Sequence, residues 1–462
     1  MRHAHIYILI MCSLLTAHSV TSSAQLRSGY FMESYNARNN INPAMHSDSS
    51  YWYIPVLGHT EVSMQSTIGL GDILFDNGKG GLYTFMTDGT ISKAELMDAV
   101  GSGVKTNTSA TLTLANIGRR LSNTRFQTMG AAIKINGKAF IDKDLFDVMK
   151  DIENRDYRLS GSSIDVSAML ELSYGEARKI NDRLTAGAKA KLLLGLINAQ
   201  IKMGQTNIDM AASDQWTASG IAVANMSGGS FKNETKQYDA NTGTYEQVKD
   251  MRFDKFGING IGVAIDAGIS YKTDESWTLS AAVTDLGFVS WFNNRRAENH
   301  GDTFIFNGFQ NTSYNKDDGY SVDDQWDAIH DDLMDLIHLE EKGKKNLTRM
   351  LGATFTLGAE YDIRDYADMT LGALLTHRQD GDYSWTEARI NGTYTPQKLP
   401  LSIAISPAIS TFGVSLGMMA TVSPSKNTTL FLGSDHLFFK VNPQMIPTGM
   451  NGNIMLGMTM GI

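Results

Sequence analysis

Apolar and polar residues alternate at every second position over long stretches of this chain. In 163–174 one face carries Ile164, Val166, Ala168, Leu170, Leu172 and Tyr174, the other Ser163, Asp165, Ser167, Met169, Glu171 and Ser173. From Leu184 to Leu196 the even positions are all Leu or Ala, while the odd ones include Thr185, Gly187, Lys189, Lys191 and Gly195. Residues 261–271, 351–361, Phe412 to Val422 and Ile454 to Ile462 repeat the pattern. A period of two is strand periodicity with the two faces in different media. Each run spans roughly 9–12 residues, the length a tilted strand needs to cross a bilayer, against about 5–6 for a soluble strand. The face opposite the apolar one is Gly, Ser and Thr with an occasional charge, a composition that suits a crowded or wet lumen.

The connections between these runs are lopsided. Those at Gly118 to Arg125, Gly175 to Arg183, Lys272 to Ser276, Asp362 to Asp368, Tyr394 to Lys398 and Ser423 to Thr428 are short and turn-like, and the intervening ones include long stretches at 137–162, 197–260 and 289–350. Short turns on one rim and long loops on the other are the habit of outer-membrane barrels. A tight link at Pro407 to Thr411 is the exception on the long-loop rim. The segments from residue 110 onward, together with 60–70, predict an all-β, antiparallel transmembrane barrel of about fourteen strands, an even number as such barrels require. Sixteen strands stay open, because 197–260 has room for a further hairpin around Ser219 to Asn225. Within 289–350, Ser321 to His338 places Trp326, Ile329, Leu333, Leu336 and Ile337 at helical spacing, which predicts one short helix in an outer loop.

Composition narrows the function classes. The 462 residues carry a net charge of −9 with no basic run, which argues against nucleic acid, since binding there depends on Lys and Arg against phosphate. Arg2, the apolar run Ile6 to Leu15 and the small residues Ser22-Ser23-Ala24 read as a secretory signal cleaved near Ala24. Removal of 1–24 takes with it Cys12, the only cysteine, so an exported chain of net charge −9 − 1 = −10 has no disulfide to stabilise it. A closed, fully hydrogen-bonded sheet meets that need. The expected organisation is a signal peptide at 1–24, a luminal or plug segment at 25–50 and a barrel at 51–462.

Candidate chemistry is sparse. Gly413-Val-Ser415-Leu-Gly417 matches a nucleophile-elbow pattern but lies inside an alternating strand rather than at the strand-to-helix turn that motif needs. The acidic run from Asp317 to Asp335 fails the Asp-x-Asp-x-Asp-Gly spacing of a calcium loop, and the histidines make no i, i+4 metal pair. No catalytic residue, metal or cofactor is expected, and an enzyme is disfavoured. The informative residues are Asp165, Glu171, Lys189, Lys191, Asp266 and Glu360, all on the inward face, since a charge on the lipid side costs several kcal/mol near the midplane. They form either a polar path or plug anchor, or a set of mutual ion pairs in a closed lumen.

Asn42-Pro43-Ala44, together with Gly262-Val-Ala-Ile-Asp-Ala-Gly268 leading to Ala282-Val-Thr-Asp-Leu-Gly287, resembles the FadL-type fatty-acid transporters and the related barrels of type IX secretion. Leu26-Arg-Ser-Gly-Tyr-Phe31 and Ile54-Pro-Val-Leu-Gly58 are similar to a family of Gram-negative outer-membrane proteins built on a domain of unknown function. The resemblance implies a fourteen-stranded barrel whose N-terminal segment folds into the lumen, and ligands that enter from outside and leave sideways through the wall. The expected role is passage or uptake of small hydrophobic molecules across the outer membrane, with outer-membrane lipid and the barrel-assembly machinery as partners. The alternative is a structural or secretion scaffold that holds a protein partner on its outer loops. On this reading Leu192→Arg impairs assembly and Lys191→Ala spares it.

Overall fold

The computed structural model describes residues 26–76, 82–87, 89–150, 156–159, 161–209, 217–239, 243–255, 257–299, 303–305, 330–331, 334, 337–425, 427–437 and 451–462. The segment read as a signal peptide lies outside them. So does most of the expected helix at 321–338, of which His330, Asp331, Met334 and Ile337 are described and helical.

Fourteen strands close into an antiparallel barrel. The first, β1, comes in two pieces, Tyr51–Tyr53 and Thr60–Ser66. Then follow β2 (Gly103–Ser122), β3 (Arg125–Asp142), β4 (Ser163–Lys179), β5 (Leu184–Asp209), β6 (Gly260–Lys272) and β7 (Trp277–Trp291). The second half is β8 (Ala353–Asp362), β9 (Met369–Gln379), β10 (Trp385–Tyr394), β11 (Leu401–Ser410), β12 (Gly413–Ser425), β13 (Thr428–Ser434) and β14 (Gly452–Gly461). Each pairs with its sequence neighbours, and β14 closes the ring on β1 through Trp52 opposite Met460 and Val62 opposite Ile454. Closure leaves no sheet edge, so the wall satisfies its own backbone groups.

The alternation sorts by face as its composition demands. Leu192, Ile261, Val263, Ile265, Ile269, Leu357, Leu375 and Ile390 stand on the outside, whereas Lys191, Asp266, Thr356 and Arg389 are buried inside. The exterior band is therefore apolar and the interior polar, the reverse of a soluble domain. No helix among the described residues is long and apolar enough to cross a membrane.

The rims differ. At one end the links are the six short turns expected from the sequence. In the turn after β6, the Asp274 carboxylate accepts from the Ser276 and Trp277 N–H groups at 2.8 Å each, which holds its carboxyl below the usual range. At the other end two links are tight, Gln379 to Trp385 and Ser410 to Gly413, and described parts of the links after β1, β3, β5 and β7 build a cap. Helix Lys93–Val100 starts in a capping box between Ser92 and Glu95, and helix Lys143–Lys150 packs against it. The cap's longest described strands are Thr217–Ser227, Ser230–Asp239 and Gly243–Arg252, with shorter ones such as Tyr157–Leu159 and Arg295–Glu298 beside them. Leu96, Val148, Ile208, Met226, Val248 and Leu339 form its buried core. The run around Ser219 to Asn225 is thus a strand, but it pairs with the far end of β5 and with Arg295–Glu298 and adds none to the ring. Strand β5 also extends well past the expected Leu196. Beyond Gly195 it parts from β6: past a register shift residues 197–202 stay paired with β4, while 198–209 pair with Thr217–Ser227 of the cap.

A closed barrel resists detergent until heated. The full-length protein extracted in mild detergent is expected to migrate faster unboiled than boiled on a gel, and Leu192→Arg is expected to reduce the folded, fast-migrating fraction by disturbing the outer band by about 2–4 kcal/mol. Identical mobility before and after boiling contradicts the closed wall.

Candidate functional site

A ring of fourteen strands is too wide for its own side chains to fill, and residues 26–50 run through the space. Their Asn- and Ser-rich sequence favours turns over longer elements, and they fold as two short 3-10 turns, Arg27–Gly29 and Asn36–Asn40. Their polar contacts reach round the circumference: Tyr30 Oη to Ser280 on β7 at 2.8 Å, Ser34 Oγ to Thr421 on β12 at 2.6 Å, and Asn36 Nδ2 donating to Thr459 on β14 at 3.3 Å. Leu26, Tyr30, Phe31, Met32 and Tyr35 are almost completely buried against the wall.

Two anchors hold this plug. The first is a neutral quartet of Arg27, Arg389, Glu387 and Asp435. Arg27 Nη1 donates to Glu387 Oε2 at 3.1 Å and Arg389 Nε to Glu387 Oε1 at 3.0 Å, while the Arg27 and Ser28 N–H groups donate to the Asp435 carboxylate at 3.0 and 2.9 Å. Ser28 Oγ also donates to Asp435, Asn391 Nδ2 donates to Ser28 O at 2.7 Å, and the Arg27 guanidinium lies 4.4 Å above the Trp385 ring. Two positive and two negative groups bury together with their charges paired and their hydrogen bonds met except at Arg389 Nη2, close to the condition under which charge is tolerated in an interior.

The second anchor is Asn42-Pro43-Ala44. Gly187 on β5 and Gly268 on β6 sit directly opposite one another and make a notch in the wall. An added Cβ on Gly187 would strike the Pro43 carbonyl, and one on Gly268 would strike Asn42 Oδ1. Inside the notch Asn42 Nδ2 donates to Tyr30 Oη at 3.0 Å and to Ile269 O at 3.2 Å, and Asn42 Oδ1 accepts from Ala44 N at 3.0 Å. Lys189, beside the notch, donates to Asn40 Oδ1 at 2.8 Å and Asn39 O at 3.3 Å.

Above the plug, Lys191 Nζ lies 2.7 Å from both Asp266 Oδ2 and Asp285 Oδ1 and 4.0 Å from Glu171 Oε2. Lys134 Nζ pairs with Glu171 at 2.7 Å. The cage depends on a bulge in which Thr284 and Asp285 together oppose Asp266. Asp285 takes a positive φ of 60° there, and its N–H donates to Asp266 Oδ1 at 2.8 Å. A non-glycine residue held in that region is strained, and here the strain aims its carboxylate at Lys191. Lys134, Glu171, Lys191 and Asp285 border a luminal cavity of about 60 Å³, also lined by Asn40, His59, Glu61, Asn116 and Ser173.

The wall is irregular next to that cavity. Between the two pieces of β1, Ile54-Pro-Val-Leu-Gly58 bulges out of the regular ladder but stays tied to both neighbours, Val56 N donating to Thr113 O on β2 at 3.1 Å and Met458 N on β14 donating to Gly58 O at 3.1 Å. Gly58 N turns back to Ile54 O at 2.6 Å, Val56 has a φ of 68°, and Val56 and Leu57 stand 49% and 60% exposed. Across from it β2 bulges between Thr113 and Ala115. Pro55 brings no N–H to a ladder, which makes it a natural place for the bulge.

The sequence-derived residues therefore fall into four groups. Glu171, Lys191 and Asp266 meet in one cage, and Lys189 belongs to the plug. Asp165 pairs with Arg349, nearer the cap rim. Glu360, half-buried on β8, makes no ion pair among the described residues. Sequence reading missed Lys134, His59, Glu61 and Asp285 as members of the site. Asp285 was in view within the Val-Thr-Asp-Leu-Gly motif, but its bulge breaks the alternation that marks inward positions. Lys191→Ala is also revised: as the hub between Asp266 and Asp285 it is not dispensable.

A family model described as a family of unknown function (DUF5723) matches residues 43–435. No curated protein matches the sequence. Among solved structures the chain is similar to the Ralstonia pickettii toluene transporter TbuX (TM-score 0.44, 10% identity, 93% of this chain and 94% of that one). It is similar also to a Pseudomonas aeruginosa FadL homologue (TM-score 0.42, 10% identity, 96% of this chain and 100% of that one).

Two variants probe the anchors. Lys191→Ala leaves two buried carboxylates without their cation and is expected to cost roughly 3–5 kcal/mol, read as a lower unfolding midpoint in urea; an unchanged midpoint refutes the cage. Gly268→Val fills the notch and is expected to expel Asn42, so that trypsin cleaves at Arg38 in the folded barrel of the variant but not of the wild type. Equal protection in both means that the notch does not hold the plug.

Proposed function

We propose, for a chain that belongs to the family of unknown function DUF5723, that it is an outer-membrane barrel passing small hydrophobic molecules inward past its plug. The observation that carries this reading is the pairing of an apolar bulge in the wall at 54–58 with a plug held by hydrogen bonds and ion pairs rather than by a covalent link. The apolar outer band supports a membrane setting. The long loops then face outward and both ends of the chain face the periplasm, as the parity of short turns in such barrels requires. A molecule entering beneath the cap leaves through the wall between β1 and β2, where Val56 and Leu57 offer an apolar sill.

The test is uptake of a panel of labelled fatty acids and aromatic hydrocarbons in a deletion strain, complemented either with the wild-type gene or with a variant whose plug can be locked. Ser34 and Thr421 face each other across the plug–wall boundary with their hydroxyls 2.6 Å apart, and Cys12 is the only native cysteine. The pair Ser34→Cys and Thr421→Cys is expected to block uptake when oxidised and to restore it on reduction. Uptake unchanged by deletion, across the panel, sinks the reading.

A second reading is supported by the cap, whose helices and strands enclose a hydrophobic core of their own. A folded cap suits a scaffold that presents a surface to a protein partner. Cross-linking on intact cells separates the two: a specific partner lost on deletion of 321–338 favours the scaffold, and no cross-linked partner favours transport.

A further inference from the structure

The cavity beside the β1 bulge has an unbalanced charge. Glu61, Glu171 and Asp285 line it with Lys134 and Lys191, three carboxylates against two ammonium groups. Both lysines are committed, Lys134 to Glu171 and Lys191 to Asp266 and Asp285. Glu61 is left with no lysine or arginine at ion-pair distance, although only 3% of it is exposed. Its one charged-group neighbour is His59 Nε2 at 3.9 Å, a nitrogen that Tyr35 Oη already approaches at 3.4 Å. Glu61 Oε1, Asn116 Oδ1 and His59 Nδ1 have no hydrogen-bond partner among the described residues, and all three residues line the same cavity.

A buried carboxylate with unmet acceptor capacity calls for a cation that brings N–H donors. A metal ion fits poorly, since no three His, Cys, Asp or Glu side chains converge at ligand distance among the described residues. An ammonium group suits unmet acceptors of this kind, because it brings up to three N–H donors and satisfies several acceptors at once. One water needs about 10–15 Å³ in the measure that gives this cavity about 60 Å³, so a methylammonium-sized guest fits with water to spare. We propose that this luminal cavity is a binding site for a small primary ammonium group, with Glu61 as its counter-ion and Asn116 Oδ1 as a second acceptor. His59 Nδ1, in the tautomer that leaves it unprotonated, accepts a third hydrogen bond. The site does not depend on the uptake reading, and a failed transport test leaves it standing.

The experiment is calorimetric titration of the full-length, detergent-folded protein with methylammonium chloride at constant ionic strength, with sodium chloride and tetramethylammonium chloride as the other arms. Saturable one-to-one binding of methylammonium is expected, with neither sodium nor tetramethylammonium, which has no N–H, competing. Glu61→Gln keeps the shape and removes the charge, and is expected to weaken binding about tenfold or more, the worth of a charge-assisted hydrogen bond. Asn116→Ala touches no ion pair, is expected to weaken binding several-fold, and carries the test should Glu61→Gln fail to assemble. Heat-dependent gel mobility reports the folding of each. Absence of saturable binding to the folded wild type overturns the proposal, as does wild-type affinity in the variants or equal competition by tetramethylammonium.

Discussion

Ring closure is the constraint from which the rest of this structure follows. Pairing of β14 with β1 satisfies the last backbone edge, and it fixes a circumference that side chains alone leave under-filled. The chain fills the gap with its own first segment. Because the wall presents Gly, Ser, Thr and charged residues inward, that segment is held by hydrogen bonds and paired charges. The buried aromatic and methionine side chains of 26–35 then pack in the spaces between.

The four motifs that resemble known barrels have distinct physical tasks at one place. Leu26 to Phe31 supplies the plug's charged anchor and packing, and Asn42-Pro43-Ala44 its seat in the glycine notch. Ile54 to Gly58 is the bulge of β1 out of the regular ladder, and the Asp266–Asp285 bulge holds the lysine cage above. Short motifs scattered over more than two hundred residues of sequence become neighbours only because the sheet closes.

What was legible in the sequence was whatever repeats locally. The period of two sorted Leu192 from Lys191 and Val263 from Asp266 by face, and the short turns gave the strand count. What depends on distant partners was not legible. Arg27 meets Glu387 across 360 positions, and no local pattern connects them. Interruptions of period also hid information: Pro55 and Gly58 split β1 so that Tyr51–Tyr53 did not read as wall, and Asp285 fell out of phase at its bulge. The long loops were legible as long but not as a folded cap, because their helices and strands are short and take their stability from one another.

The order of the chain bears on how such an object is assembled. The plug precedes the wall in the chain, and the wall closes only when the last strand meets the first, a contact separated by about four hundred residues of sequence. Loop-closure entropy makes so distant a contact slow to form. Contacts of the plug with β10, β12 and β14 run through the late half of the chain, so its seat is unfinished until then. The segment must therefore lie on the concave side of the curling sheet before the seam shuts. The finished barrel encloses its own beginning, and the history of its folding is built into which residues end up inside.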